Sequence, residues 1–148
     1  MSLLCLSVAI SLRMHRALLA AALTALLTSC AAGPREDPRA LKNPIPPTPE
    51  SLANGKRLYD RLCAECHGPT GHGDGETAKK LAAAGAPKSP DLTDDKWDHG
   101  STDGEIFFDI RDGLGSTMKG LNGRPGIGPE EMWHLVNYVR SLGAHASK

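Results

Sequence analysis

The sequence is poor in aromatic residues and has no excess of either charge. Its 148 residues contain two Trp, two Tyr and two Phe, which is little for a domain whose core is filled by side chains alone. The formal net charge is zero at pH 7, so the composition does not indicate the basic surface that binds nucleic acid. We therefore expect no nucleic-acid partner and a core that is short of large flat side chains.

Cysteine is also scarce. Of the four cysteines, Cys5 and Cys30 lie in or at the end of an apolar leader, which leaves Cys63 and Cys66 without disulfide partners. A zinc site would need two more nitrogen or sulfur ligands at similar spacing, and no second cysteine pair exists. A thioredoxin-like redox pair would follow a strand in a βαβ pattern, which the sequence does not show.

The remaining two cysteines belong to the run Cys63-Ala64-Glu65-Cys66-His67. The pattern Cys-x-x-Cys-His is typical of covalent attachment of a c-type haem. Residues three and four positions apart share one face of a helix, so both thiols and the imidazole reach a single flat ring. The run predicts one haem c, bonded through Cys63 and Cys66, with His67 as an iron ligand. A redox pair, half of a zinc site and a chance match are the alternatives.

The leader is typical of export. An apolar stretch at residues 17–27 follows Arg13 and Arg16 and is too short to span a bilayer comfortably. It ends in Leu27-Thr28-Ser29-Cys30, which resembles a bacterial lipobox, and a start at Met14 would open a shorter signal peptide. We predict a signal peptide at 1–29, a lipid on Cys30 and a domain on the periplasmic or extracytoplasmic side of a bacterial membrane. Ordinary cleavage and an uncleaved anchor are the alternatives.

Residues 30–49 are rich in proline and contain almost nothing apolar. Such a segment predicts an extended, semi-rigid linker, which at about 3.1 Å per residue reaches roughly 60 Å. The haem domain is predicted at 50–148.

Helix signals divide that domain. Thr48-Pro49-Glu50 predicts a helix start, and the stripe that begins at Leu52 includes Gly55, where we expect a second helix to approach closely. Further helices are predicted at 76–84, from the capping box at 102–105 to about Gly113, and from 128 to Gly143. His134 is expected on the outer face of the last helix.

Two irregular segments lie between these helices. The glycine-rich run at 68–75 follows no strand and lacks the Lys of a phosphate-binding loop, so we expect it to lie against the haem edge. A backbone carbonyl in residues 87–94 is predicted to accept the other N–H of His67. Met118 lies on a loop flanked by Gly115 and Gly120, outside any periodic element, and is predicted as the second iron ligand.

From about residue 50 to 142 the chain resembles a class I (monohaem) cytochrome c. The resemblance implies a small all-α fold in which the N- and C-terminal helices cross at a glycine–aromatic contact. Gly55 and Tyr59 match the first half of that contact, and Leu135 and Tyr138 match the second. It also implies the axial methionine at Met118, although Lys119 follows where the family commonly has proline.

The resemblance implies a one-electron carrier without catalytic residues of its own. Its partners would be an oxidase, a quinol-oxidising complex or a dehydrogenase, and a lipid on Cys30 would hold it to the membrane. One alternative is a haem subunit fixed in a larger oxidoreductase complex. The other is a five-coordinate peroxidase or gas sensor, in which Met118 is not a ligand and His72 or His99 serves as a distal group.

Overall fold

The computed structural model describes residues 36–143. The predicted signal peptide, the predicted lipid attachment at Cys30 and the last five residues lie outside this range. The predicted all-α architecture is confirmed, with one small antiparallel hairpin added. The elements in chain order are α1 (Pro49–Leu62), α2 (Ala64–His67), α3 (Glu76–Ala83), α4 (Asp103–Asp112), β1 (Gly113–Leu114), β2 (Met118–Lys119) and α5 (Pro129–Leu142).

Helix α1 begins where its local sequence predicts and leads directly into α2. The hydroxyl of Thr48 accepts a hydrogen bond from the backbone N–H of Ser51 at 3.2 Å, and Pro49 occupies the first helical position. Cys63 lies between the two helices, and its carbonyl accepts from the N–H groups of Cys66 and His67 at 3.0 and 2.9 Å. The three residues therefore lie on one helical turn, as their spacing predicts.

The first and last helices cross at Gly55. A Cβ on this residue would overlap the carbonyl oxygen of His134 and lie 2.7 Å from the Cβ of Tyr138. The rings of Tyr59 and Tyr138 meet beside it, with centroids 5.1 Å apart. The predicted close approach of a second helix is confirmed, and the absent side chain of Gly55 is what permits it.

The core lies between α5 and the two helices packed on it. Tyr59, Leu135 and Val136 are completely buried, and Phe107 of α4 stacks on Trp133 at a centroid distance of 4.1 Å. The capping box of Thr102 and Glu105 forms as predicted and starts α4.

The end of the predicted linker packs against the domain, which the sequence analysis did not anticipate. Leu41 and Ile45 are half-buried against the core. The side-chain amide of Asn43 donates to Asn137 Oδ1 at 2.8 Å, and Asn137 donates to the carbonyl of Ile45 at 3.0 Å. The prediction of an extended linker up to residue 49 is therefore wrong for residues 41–45, because two apolar side chains and one amide suffice to dock them.

The predicted position of His134 is also wrong. Its side chain is only 13% exposed, and Nδ1 lies 2.8 Å from the hydroxyl oxygen of Ser51, which is itself buried. Asn137 donates to the same hydroxyl oxygen at 2.8 Å, so a polar network joins α1 to α5 inside the crossing.

None of the helices between residues 36 and 143 has the length and apolar character that crossing a bilayer requires.

Candidate haem site

The four residues predicted to hold the haem within this domain line one cavity. Cys63, Cys66, His67 and Met118 all border a space of about 720 Å³. This volume lies in the usual range for sites that enclose a small molecule or cofactor. The cavity is bounded by α1 and α2 on one part of its wall, and by α4, the hairpin and α5 on others.

The two thiols are free and poorly suited to redox exchange. Burial raises the pKa of Cys63 to about 11, with a smaller contribution from Cys66. Burial also raises the pKa of Cys66, and the neighbouring carboxylate of Glu65 adds to the effect. Reactive redox cysteines have depressed pKa values because the thiolate is the nucleophile. Both thiols are therefore protonated near neutral pH, which argues against a thioredoxin-like pair.

His67 is prepared to bind a metal as a neutral ring. Burial lowers its pKa, and a hydrogen bond to the backbone carbonyl of Pro90 partly opposes this effect. The hydroxyl oxygen of Ser89 lies 3.2 Å from Nδ1. Partners on one ring nitrogen fix the tautomer and orientation and leave the other nitrogen for a metal. Pro90 lies in the segment 87–94, from which the sequence predicts an accepting carbonyl.

The glycine-rich run at 68–75 folds back over the Cys-x-x-Cys-His turn. The N–H of Gly73 donates to the carbonyl of His67 at 2.8 Å, and that of Gly75 donates to the carbonyl of Cys66 at 3.2 Å. A Cβ on Gly75 would lie 2.6 Å from the carbonyl carbon of Glu65, so only glycine allows this approach. The loop fixes the backbone that carries the thiols and the imidazole.

Met118 lies in β2, paired with Leu114 of β1, where the sequence analysis predicted a loop. Gly113 has a φ of +80°, which glycine adopts at little cost, and it turns the chain out of α4. The strand then returns to that helix, because the N–H of Leu121 donates to the carbonyl of Ile110 at 3.0 Å. The hairpin anchors the backbone of Met118 at both ends without a proline at position 119.

The wall chemistry fits a covalently bound haem. Two thiols, a neutral imidazole and a thioether face the same space, and aliphatic side chains form much of the rest of the wall, beside two aromatic and several charged side chains. The aliphatic residues include Leu62, Leu81, Ile106, Ile110, Leu121 and Val139. Within residues 36–143, no three His, Cys, Asp or Glu side chains come together in a way that could hold a metal ion. The two cysteines thus lack the further ligands that a structural zinc site needs.

The sequence pattern did not single out Asp109, and the two distal candidates differ in position. Asp109 lines the cavity and is half-buried. The signal was its place one helical turn after Ile106, an acid within an apolar stripe. His99 also lines the cavity. His72 does not; its Nδ1 lies 3.2 Å from a carboxylate oxygen of Asp91.

Comparisons with known proteins agree with this site. The sequence model of the family described as "Cytochrome c" matches residues 52–143. The cbb3-type cytochrome c oxidase subunit CcoP of Rubrivivax gelatinosus is 33% identical over 94 residues, which cover 64% of this chain and 27% of that protein. The subunit FixP of Bradyrhizobium sp. (strain ORS 278) is 32% identical over 128 residues, which cover 81% and 38%.

Among solved structures, the chain is similar to one from the reducing HAO-like protein complex of Kuenenia stuttgartiensis. The TM-score is 0.60 at 29% identity, and the match covers 73% of this chain and 49% of the other. The chain spans between 27% and 38% of the length of the two curated relatives named above. The similarity is therefore to a part of these larger proteins.

Proposed function

Since the chain belongs to the cytochrome c family, we propose that it is a membrane-tethered one-electron carrier whose haem has His67 and Met118 as axial ligands. Family membership implies that haem c is the cofactor, attached through Cys63 and Cys66. The observation that carries the proposal is the common cavity onto which these four side chains open.

Haem c supplies an iron that takes up and releases one electron at a time. The residues of this chain set the conditions for that exchange. The partners on His67 hold its ring in one orientation, and the thioether of Met118 favours the ferrous state and raises the reduction potential. If His67 and Met118 both held the iron, neither oxygen nor another substrate would have access to it. The aliphatic side chains of the wall would limit the access of water to the ring.

The ligand role of Met118 is tested with a pair of methionine variants. Met118→Leu should remove the sulfur-to-iron charge-transfer band of the ferric protein, lower the reduction potential and allow the ferrous form to bind carbon monoxide. Met132→Leu is the matched control, because Met132 is 3% exposed in the core and does not line the cavity. It should leave all three properties unchanged.

The same measurements decide between the carrier and a five-coordinate peroxidase or gas sensor. If the Met118→Leu protein kept the wild-type spectrum and reduction potential, Met118 would not be an iron ligand. A high-spin ferric spectrum, or avid carbon monoxide binding by the unmodified protein, would favour the five-coordinate alternative. His99 would then be its distal candidate, because His99 lines the cavity.

We also propose that the partner is a respiratory oxidoreductase complex. The relatives named as subunits of cbb3-type oxidases, and the relative from an HAO-like complex, support this class of partner. A free carrier and a fixed subunit use the same chemistry. Extraction of the native membrane with a mild detergent, followed by size separation with detection of haem, distinguishes them. A fixed subunit would run with other polypeptides, whereas a free carrier would run alone.

The tether is proposed at Cys30. Since residues 41–45 are docked on the domain and a turn begins at Asp37, only residues 31–37 remain to span the distance to the membrane. Seven residues in extended geometry reach roughly 20 Å, which keeps the domain close to the lipid surface. Cys30→Ser should move the haem protein from the membrane fraction to the soluble fraction. Cys5→Ser, which changes a residue of the removed leader, should not, and an unchanged distribution of Cys30→Ser would refute the tether.

A further inference from the structure

Asp109 stands apart from other carboxylates of the domain. Its side chain lines the same cavity as the four haem residues and is half-buried. In the described part of the chain it makes no hydrogen bond and no ion pair. Asp60, Asp103 and Asp112, by contrast, each pair with a basic side chain, at Lys56, Arg140 and Arg111 respectively. A half-buried acid that makes neither a hydrogen bond nor an ion pair is costly and calls for a physical account.

The charges around Asp109 come from two elements. His99, in the segment before α4, faces it, and Glu105 lies one turn earlier on the same helix. Burial raises the pKa of Asp109 from 3.8 to about 6; the electrostatic interaction with His99 opposes this effect, and the negative charge of Glu105 adds to it. Other charged side chains line the cavity, namely Lys88, Asp91, Lys96, Asp98, Lys119 and Arg124. The pKa of Asp109 therefore lies close to physiological pH.

We propose that Asp109 takes up a proton when the haem iron is reduced and releases it when the iron is oxidised. The inference rests on the proposed one-electron function. Reduction removes one positive charge from the cavity that the carboxylate lines, and this loss favours the neutral acid. The electron comes from the redox donor and the proton from solvent, so one electron and one proton enter together. Oxidation reverses both transfers, and no bond to the macrocycle changes.

The coupling has a measurable consequence for the reduction potential. Where the oxidised protein is ionised at Asp109 and the reduced protein is protonated there, each proton follows one electron. The potential then falls as pH rises, by up to about 59 mV per pH unit, because a tenfold change in equilibrium constant corresponds to this value for one electron. Above and below that window, the potential does not depend on this group.

The experiment is a redox titration of the full-length haem protein between pH 5 and pH 9. The wild type should show the pH-dependent window, and Asp109→Asn should lose it, because the amide cannot ionise. Asp98→Asn is the matched control: Asp98 borders the same cavity but is exposed, so solvent screens its charge. This variant should keep the wild-type dependence.

His99→Gln distinguishes Asp109 from His99 as the site of protonation. Removing the electrostatic interaction that lowers the pKa of Asp109 should raise this pKa and move the window to higher pH without abolishing it. If the window instead disappears in His99→Gln and persists in Asp109→Asn, the proton site is His99 and the proposal is wrong. A wild-type potential that is flat from pH 5 to pH 9 would equally overturn it.

A second measurement observes the carboxyl directly. Infrared difference spectra between oxidised and reduced protein should contain the C=O band of a protonated carboxylic acid in the reduced state. That band should be absent from Asp109→Asn and present in Asp98→Asn. If the wild-type protein shows the sulfur-to-iron band but no carboxyl signal, the proton coupling is refuted and the proposed ligation stands. If the wild-type protein lacks the sulfur-to-iron band, the proposed ligation is refuted, whatever the carboxyl signal shows.

Discussion

The crossing of α1 and α5 makes a quantitative prediction for Gly55→Ala. The new Cβ would overlap the carbonyl oxygen of His134 and lie 2.7 Å from the Cβ of Tyr138, where ordinary contacts are 3.4 Å or longer. Both obstacles are fixed to the backbone, so no change of rotamer relieves them. To bring the 2.7 Å contact to 3.4 Å the two helices must separate by about 0.7 Å, and by more at the carbonyl of His134, which loosens the contact between Tyr59 and Tyr138.

The expected loss is the difference between two opposing terms. Overpacking of a tight contact costs about 3 kcal/mol at the upper end of its usual range. Replacing glycine by alanine inside a helix returns about 1 kcal/mol of helix propensity. The net destabilisation is about 2 kcal/mol. With a urea dependence of about 2 kcal/mol per molar, the unfolding midpoint should fall by about 1 M.

Equilibrium unfolding of the haem protein in urea, followed by circular dichroism and haem absorbance together, measures this loss. The matched control is Ala53→Gly on the exposed side of the same helix, which should cost about 1 kcal/mol through propensity alone. If helix propensity alone determined the effect at both positions, Gly55→Ala would raise the unfolding midpoint and Ala53→Gly would lower it. A Gly55→Ala protein at least as stable as the wild type would refute the argument from the crossing.

Two further predictions concern stability. Tyr59→Phe removes the hydroxyl that donates to the carbonyl of Gly68 at 2.8 Å in a buried position, so it should cost about 1–2 kcal/mol in the same unfolding assay, whereas Tyr138→Phe should cost less than half as much. The folded-state pKa of Asp109 is raised, so its contribution to stability is fully present only below the ordinary pKa of 3.8 and is lost as the pH rises from there through about 6. Asp109→Asn should therefore gain about 1 kcal/mol relative to the wild type between pH 4 and pH 8, after a discount for partial exposure, and a constant difference in urea midpoints would contradict this expectation.

Helix boundaries were predictable because the signals that set them are local. The hydroxyl of Thr48 and the capping box at Thr102 and Glu105 act within one turn of the residues they cap. The Cys-x-x-Cys-His turn is local in the same sense, since three residues within five positions define its face. Family resemblance then supplied the pairing of the first and last helices, which local patterns do not contain.

The segment before α1 could not be predicted in this way. Asn43 contacts Asn137, which lies 94 positions further along the chain, so nothing near residue 43 reveals the contact. The same holds for His134, whose partner Ser51 belongs to the other helix of the crossing. The composition of a proline-rich stretch predicts a linker, and only the tertiary structure shows the surface on which its few apolar side chains pack.

The scarcity of aromatic residues has a spatial explanation that links the fold to the proposed chemistry. The ring pairs of the core stack at the helix contacts, with Tyr59 on Tyr138 and Phe107 on Trp133. Aliphatic side chains form much of the cavity wall, beside Tyr59, Trp97 and several charged side chains. Most of those charged side chains are exposed, so solvent screens their charge, whereas the carboxylate of Asp109 is half-buried and is screened less. In the proposed holoprotein, the reduction potential would therefore depend on the partners of His67, the sulfur of Met118 and the ionisation of Asp109 more than on the exposed charges.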